Sequence, residues 1–259
     1  MTSEGYVYIV LPGETEFVTA GRFALRETRE GAAVGEFIYG RSYRERANAV
    51  ELDPLELRLQ PGTFETATMG GFFGAIRDAM PDAWGRKVIE RYLRGQVSPF
   101  DFLLRGPDDR AGALGFGRNT DPPLPANRFN RTLDLERLQS AADALINDDP
   151  ELAGSVADQA EDLLLLGGTS MGGARPKAVV EDDDALWIAK FARKDDSYSQ
   201  PRTEHGLLKL ARRCGVDAAD SRLTTVADRD VLLVRRFDRD RAEDGYRRHR
   251  MVSAVTLLR

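Results

Sequence analysis

The residues that could do chemistry are concentrated in a glycine-rich stretch and the segment after it. Residues 163–180 read LLLLGGTSMGGARPKAVV, and an acidic turn at 181–184 leads to ALWIAKF at 185–191. Glycine lets consecutive backbone N–H groups approach an anion without a Cβ in the way, and such groups form an anion-binding concavity. The pattern therefore predicts a loop and a hairpin that lie over phosphate groups.

Lys190 is the one charged residue in the second of these hairpin strands. Strand alternation places it on the same face as Leu186 and Ile188, where a lysine is rarely found without a partner. Only five of the 37 basic residues are lysine. This usage indicates that Lys177 and Lys190 serve as compact ammonium charges, as in phosphate coordination. The alternative is that Lys190 extends to the hairpin edge and the glycines only form turns, and spacing alone does not decide between the two.

The helix predicted at 199–215 supplies a counterpart for this lysine. By helical spacing its inward face consists of Glu204, Leu207, Leu208 and Ala211. A carboxylate on an apolar face needs a cation, so we predict an ion pair between Glu204 and Lys190. In protein kinases a strand lysine and a helix glutamate form such a pair, which positions the lysine that grips the phosphates.

Four motifs follow one another along the second half of the chain. They are GGARPKA at 172–178, WIAKF at 187–191, RTE at 202–204 and LVRRFDR at 233–239. Together they resemble the HipA-type serine/threonine kinases, the toxin half of bacterial toxin–antitoxin pairs. Residues 72–86 and 110–116 are similar to the N-terminal region of that family, so the resemblance extends over most of the chain.

The resemblance implies a set of residues that contact ATP. They are Ser170, Gly172, Gly173, Ala174, Lys177, Lys190, Glu204, Arg235 and Phe237, with the backbone near Arg235 and Phe237 at the adenine. Ser170 matches the serine that these kinases phosphorylate on themselves. As alternatives, Ser170 is only a turn hydroxyl, and Arg235 and Arg236 are solvated charges at a strand end.

The resemblance also implies cofactors and partners. The cofactors are ATP and Mg²⁺. The partners are a helix-turn-helix antitoxin and a protein substrate such as an aminoacyl-tRNA synthetase, with DNA contacted only through the antitoxin. In the family, the catalytic base and the metal-binding aspartate lie downstream of the region matched here, and no residue from 249 to 259 is a carboxylate. We therefore expect no catalytic residue and no metal ligand within this chain.

Two functions of different classes are compatible with these observations. The first is a serine/threonine protein kinase of a toxin–antitoxin system, which transfers phosphate from ATP to a protein and whose catalytic lobe lies outside these residues. The second is a non-catalytic module that binds an antitoxin or a kinase partner through residues 1–118. The neighbouring DNA would distinguish them, because only the first requires a large lobe to be encoded there.

Composition narrows the class of protein further. The chain has 259 residues and a formal net charge of −5, which disfavours direct nucleic-acid binding as the main activity. The single cysteine, Cys214, excludes an intramolecular disulfide, and we expect it to be buried at a helix end. The sequence shows neither a secretory leader nor an apolar stretch of about 18 residues, so we expect a cytoplasmic protein that is not membrane-bound.

The expected fold class is α+β. A β-rich domain with short helices spans residues 1–118, a linker spans 119–131, and a protein-kinase-like small lobe, an antiparallel sheet plus a helix, spans 132–259. Strands are predicted at 6–10, 17–25, 34–39, 49–59, 221–227 and 231–237, besides the lysine hairpin. Helices are predicted at 71–80, 82–93, 133–147 and 150–166, with a capping box at 98–101.

Trp84, Val88 and Tyr92 share one face of the helix predicted at 82–93. At that spacing we expect Trp84 to belong to the core rather than to dock a partner.

Overall fold

The structure is a computed structural model that describes residues 2–93, 97–126, 128–147, 173–182 and 185–258. It divides into two compact units. Unit 1 comprises Met1–Met80, Ser98–Ala126 and Ala242–Arg259, and unit 2 comprises Pro81–Val97 and Asn127–Arg241. This division differs from the expected domain boundaries at two segments, because residues 81–97 group with the second unit and residues 242–259 with the first.

The secondary structure of the described residues confirms the α+β class. The strands are β1 Thr2–Val10, β2 Phe17–Glu27, β3 Ala33–Tyr39, β4 Thr63–Thr66, β5 Leu114–Gly117, β6 Asn130–Arg131, β7 Lys177–Asp182, β8 Ala185–Phe191, β9 Ser221–Val226, β10 Arg229–Arg235, β11 Arg239–Ala242 and β12 Gly245–Arg248. The helices are α1 Arg41–Arg44, α2 Gly74–Asp78, α3 Ala83–Leu93, α4 Pro99–Arg105, α5 Leu135–Asn147, α6 Gln200–Arg213 and α7 Ala254–Leu257. Single 3₁₀ turns occur at Thr68–Gly70 and Thr132–Asp134. None of the described helices is both long and apolar enough to cross a membrane.

Unit 1 is built on an antiparallel sheet with the strand order β4-β3-β2-β1-β5. Three of its strands lie where the sequence predicts them. The strand predicted at 49–59 is wrong. There, the buried Asp53 accepts the backbone N–H groups of Leu55 and Glu56 through Oδ1, at 2.8 and 3.1 Å, so the chain turns before Leu57. Local bonding by an aspartate competes with strand pairing in this way.

The helix predicted at 71–80 is shorter in the structure, where it is α2. Gly70 and Gly71 adopt φ angles of 70° and 80°, which an α-helix cannot contain, so α2 begins only at Gly74. The capping box between Ser98 and Asp101 at the start of α4 is confirmed.

Arg110 is completely buried and organises the loops around α4. It donates to the carbonyls of Ala79, Leu103 and Gly106 at 3.0, 2.6 and 3.1 Å. A charge at this depth is tolerated because three carbonyl dipoles point at it.

Unit 2 contains a sheet with the order β6-β7-β8-β10-β9, in which only the β6–β7 pair is parallel. One face of this sheet packs against α3 and α5 in a single apolar cluster. Trp84 is buried in that cluster, so its predicted core position is confirmed. Tyr92, predicted on the same helix face, is exposed instead. Ile89 is buried in its place. The predicted face, Trp84, Val88 and Tyr92, is spaced by four residues each time, whereas a helical face repeats every 3.6 residues and therefore shifts towards Ile89.

The helix α6 is more exposed than its sequence pattern predicts. Ser199 caps its start by accepting the Arg202 N–H. Glu204, Leu208 and Ala211 are half-buried, as an inward face requires, but Leu207 is exposed. Cys214 at the helix end is also exposed, so the expectation that it is buried is wrong.

The predicted antiparallel pair after α6 is confirmed as β9 and β10. Its turn consists of Ala227 and Asp228, which have φ angles of 45° and 61°. Two consecutive positive φ values are typical of the tight hairpin turn that matches the twist of the strands. The helix predicted at 150–166 lies outside the described residues.

Candidate lysine-hairpin site

The ion pair predicted between Lys190 and Glu204 is present. Lys190 lies on β8 opposite Leu232 of β10, and Glu204 lies on α6. The Lys190 Nζ is 2.5 Å from the Glu204 Oε1, and the two side chains are 29% and 42% exposed. An ammonium held in this way keeps a fixed direction and is still accessible to a ligand.

Lys177 lies directly opposite Lys190 in the register of β7 and β8. Because directly opposed residues of an antiparallel pair point to the same face, the two ammonium groups share one side of the hairpin. The Lys177 Nζ donates to Asp82 Oδ2 at 3.0 Å and to the Gly173 carbonyl at 3.1 Å. Its side chain is only 4% exposed. Lys177 is therefore placed to position the chain around Gly173 rather than to meet a ligand from solvent.

Burial lowers the pKa of Lys177 below its ordinary value, and the charge of Lys190 acts in the same direction. Asp82 opposes this shift by favouring the charged form. A buried lysine without such a carboxylate would lose its proton more readily.

Trp84 at the start of α3 holds the segment between Gly173 and Lys177 through two further contacts. Its N–H donates to the Gly173 carbonyl at 3.3 Å, and its Nε1 donates to the Lys177 carbonyl at 2.9 Å. Asp82 itself caps α3, because its Oδ1 accepts the Gly85 N–H at 2.7 Å. Sequence reasoning predicted Asp82 only as a helix cap and missed its pairing with Lys177. The available signal was that a buried lysine requires a carboxylate.

The end of the glycine loop is described from Gly173 onwards. Gly173 has a φ of +100°, a conformation that side chains with a Cβ rarely adopt. Gly173 and Ala174 are exposed, and Arg175 is paired with Asp196. Ser170 and Gly172 lie outside the described residues.

The structure places Arg235 and Phe237 away from the two lysines along the sheet. Arg235 is the register partner of Trp187, three positions from Lys190 on β8, and its N–H donates to the Asp220 carbonyl at 2.8 Å. Phe237 is 73% exposed. Both residues line a cavity of about 540 Å³ whose lining includes neither Lys190 nor Glu204. The cavity therefore lies at the end of β10 and does not include the lysine pair.

Arg236 is not a solvated charge. Its side chain is buried and forms two parallel hydrogen bonds of 2.9 Å with Asp238, which also accepts from Arg239 at 2.9 Å. Arg235 in contrast is exposed, with its guanidinium 4.0 Å from Asp220. Arg236 and Asp238 are buried, and the side chain of Phe237 between them is exposed.

Two comparisons with known proteins found similar sequences or structures. Residues 169–259 match the model of the HipA-like C-terminal domain. The resemblance to HipA-type proteins is confirmed. A solved structure of the toxin–antitoxin system HipA, HipB and its operator DNA from Shewanella oneidensis MR-1 matches with a TM-score of 0.53 and 17% identity. The match covers 91% of this chain and 52% of that chain, so this chain spans about half the length of the structure it matches. No curated protein sequence matches significantly.

Among the described residues, no group of three or more His, Cys, Asp or Glu side chains is placed to hold a metal ion.

Proposed function

We propose that this chain carries the ATP-binding part of a HipA-like serine/threonine kinase of a toxin–antitoxin system. The observation that carries the proposal is the ion pair between Lys190 and Glu204, a strand lysine held by a helix glutamate. In kinases this pair must be in place before the phosphates are held correctly. The family match over residues 169–259 supports the same assignment.

The residues present fit a phosphate-bearing ligand. The Lys190 ammonium is partly exposed, so it can contact an anion while Glu204 fixes its direction. Lys177 instead holds the Gly173 carbonyl from inside, which fixes the end of the glycine loop. When bound, ATP with Mg²⁺ would supply the phosphoryl group that is transferred. We further propose that the catalytic base and the metal-binding aspartates lie outside these 259 residues.

The partners are proposed on the same basis. The matched structure contains HipA together with HipB and operator DNA, which supports a helix-turn-helix antitoxin as partner of the present protein, with DNA contacted through it. The protein substrate, such as an aminoacyl-tRNA synthetase, rests on the resemblance alone.

The experiment that tests the function measures ATP binding and phosphoryl transfer by the purified 259-residue chain. We expect saturable, weak binding of ATP in the presence of Mg²⁺, without transfer from radiolabelled ATP to a protein. Absence of any ATP binding would contradict the proposal and favour the non-catalytic interaction module. Robust transfer by the chain alone would instead show that a catalytic carboxylate lies within it.

A further inference from the structure

A second charged cavity lies between α6 and β9, apart from the lysine hairpin. Its volume is about 550 Å³. Its lining includes His205, Lys209, Arg212, Arg213, Arg222 and Leu223. We call this cavity the α6–β9 cleft. Its lining includes four arginine or lysine residues and no Asp or Glu, which makes it a basic surface in a chain of net charge −5.

The basic residues of the α6–β9 cleft differ in how they are neutralised. Arg212 is paired with Asp220, and Arg222 is paired with Asp182 at 2.9 Å and stacks on Trp187, 4.3 Å from the ring centroid. Lys209 and Arg213 are exposed, and neither has an ion-pair partner within the part of the chain that the structure describes. Two positive charges are therefore available to a partner.

Helical spacing brings these two charges together. Lys209 and Arg213 are four residues apart on α6, an arrangement in which like charges destabilise the helix. His205 lies a further four residues earlier and contacts the Ser221 hydroxyl at 2.9 Å, which ties α6 to β9 and fixes the two walls of the cleft. An anion between Lys209 and Arg213 would relieve their repulsion.

We propose that the α6–β9 cleft binds an acidic polypeptide segment of a partner protein. Asp182 and Asp220 each pair with an arginine of the lining. A nucleic-acid backbone carries regularly spaced charges, so it would bring phosphates against these carboxylates. A segment with two or three carboxylates matches the two available cations, Lys209 and Arg213. Leu223 provides an apolar contact for the methylene groups of its acidic side chains. Glu204 lies on another face of α6, so this binding does not depend on the proposed kinase function.

The test measures the affinity of the 259-residue chain for a fluorescein-labelled hexaglutamate peptide by fluorescence anisotropy. The variant carries both Lys209→Glu and Arg213→Glu. We expect the peptide to bind the unmodified chain and to bind this variant at least about tenfold more weakly. A control variant with Arg29→Glu and Arg46→Glu changes the net charge equally at exposed positions of unit 1, and we expect it to retain the affinity.

The same assay contains the outcomes that would overturn the proposal. Equal peptide affinity for the cleft variant and the unmodified chain would do so. Displacement of the peptide by duplex DNA or inorganic phosphate at a lower concentration than by unlabelled hexaglutamate would assign the cleft to that other ligand. If the glutamate variant fails to fold, as judged by circular dichroism, a variant with Lys209→Gln and Arg213→Gln takes its place, with a smaller but measurable loss expected.

Discussion

Lys177 and Lys190 face each other across β7 and β8, and each is held by a carboxylate from a different helical segment. Asp82 at the start of α3 pairs with the buried Lys177, and Glu204 of α6 pairs with the accessible Lys190. Like charges directly opposite in a sheet repel, and the two carboxylates offset this repulsion. Of the two ammonium groups, only the one at Lys190 is open to a ligand.

Replacing Lys190 by alanine tests the ligand role. We expect Lys190→Ala to weaken ATP binding by the chain roughly 10- to 100-fold, since a charge-assisted hydrogen bond contributes about 1.5–3 kcal/mol. The melting temperature should change little, because the side chain is partly exposed. Titration with a fluorescent ATP analogue measures the loss. Lys194→Ala, at an exposed lysine of the same unit, serves as the matched control. Unchanged ATP affinity in Lys190→Ala would refute the role of this lysine.

Removing one partner of the buried pair tests the structural role of Lys177. We expect Asp82→Ala to lower the free energy of unfolding by about 3 kcal/mol, because it leaves a buried ammonium without its carboxylate. Urea denaturation measures the loss. In a variant with both Asp82→Ala and Lys177→Met, the loss should be smaller than the sum of the two single losses. Strictly additive losses would show that the two side chains are not energetically coupled.

Arg110→Met should destabilise unit 1 by about 3 kcal/mol, because three buried carbonyls lose their donor. Burial lowers the pKa of Arg110 to about 10, so the guanidinium is still charged at neutral pH. The midpoint of chemical denaturation measures the effect. Arg118→Met, at an exposed position of the same unit, should leave the midpoint unchanged. Equal midpoints for both variants would contradict the role assigned to Arg110.

The stability contributed by Asp230 should depend on pH. Hydrogen bonds from Arg202 and then from Ser199 lower its pKa below the ordinary value of 3.8. A carboxyl group with a lowered folded-state pKa stabilises the fold above its unfolded-state pKa, and this contribution is lost as the pH falls through the folded-state value. Arg202→Met should therefore lower the melting temperature at pH 6, and the difference from the unmodified chain should shrink towards pH 3. A difference that is the same at both pH values would contradict this account.

Ser170 lies outside the described residues, and its role is a prediction from the family resemblance. A phosphate there adds about −1.5 to −2 charges to a loop that is expected to hold phosphates. We expect Ser170→Glu, which mimics part of this charge, to weaken ATP binding, whereas Ser170→Ala should bind normally. Titration with the ATP analogue compares the two variants. Equal affinities would leave Ser170 as a turn hydroxyl.

The ion pair between Lys190 and Glu204 could be predicted because both positions follow from local periodicity. Strand alternation placed Lys190 among apolar residues, and helical spacing placed Glu204 on the inward face of α6. The pairing of Lys177 with Asp82 could not be predicted in the same way, because 95 positions separate the two residues. Only the packing of α3 against the sheet brings them together.

The incorrect prediction of a strand at 49–59 has a different cause. Its apolar residues fit a strand, but Asp53 accepts three backbone N–H groups, those of Leu55, Glu56 and Ala75. The contact with Ala75 comes from a segment 22 positions away, so no window of local sequence contains it. The exposure of Cys214 likewise depends on how much of α6 the sheet covers, which spacing does not determine.

The two tryptophans of the chain make its two candidate binding regions optically distinguishable. Trp84 donates its indole N–H to the Lys177 carbonyl, and Trp187 lies beneath the guanidinium of Arg222, one of the residues that line the α6–β9 cleft. Movement of the chain around Gly173 would change the emission of the first indole, and withdrawal of Arg222 towards an anion would change that of the second. With Trp84→Phe in place, intrinsic tryptophan fluorescence would report on the contact between Trp187 and Arg222, without any attached dye.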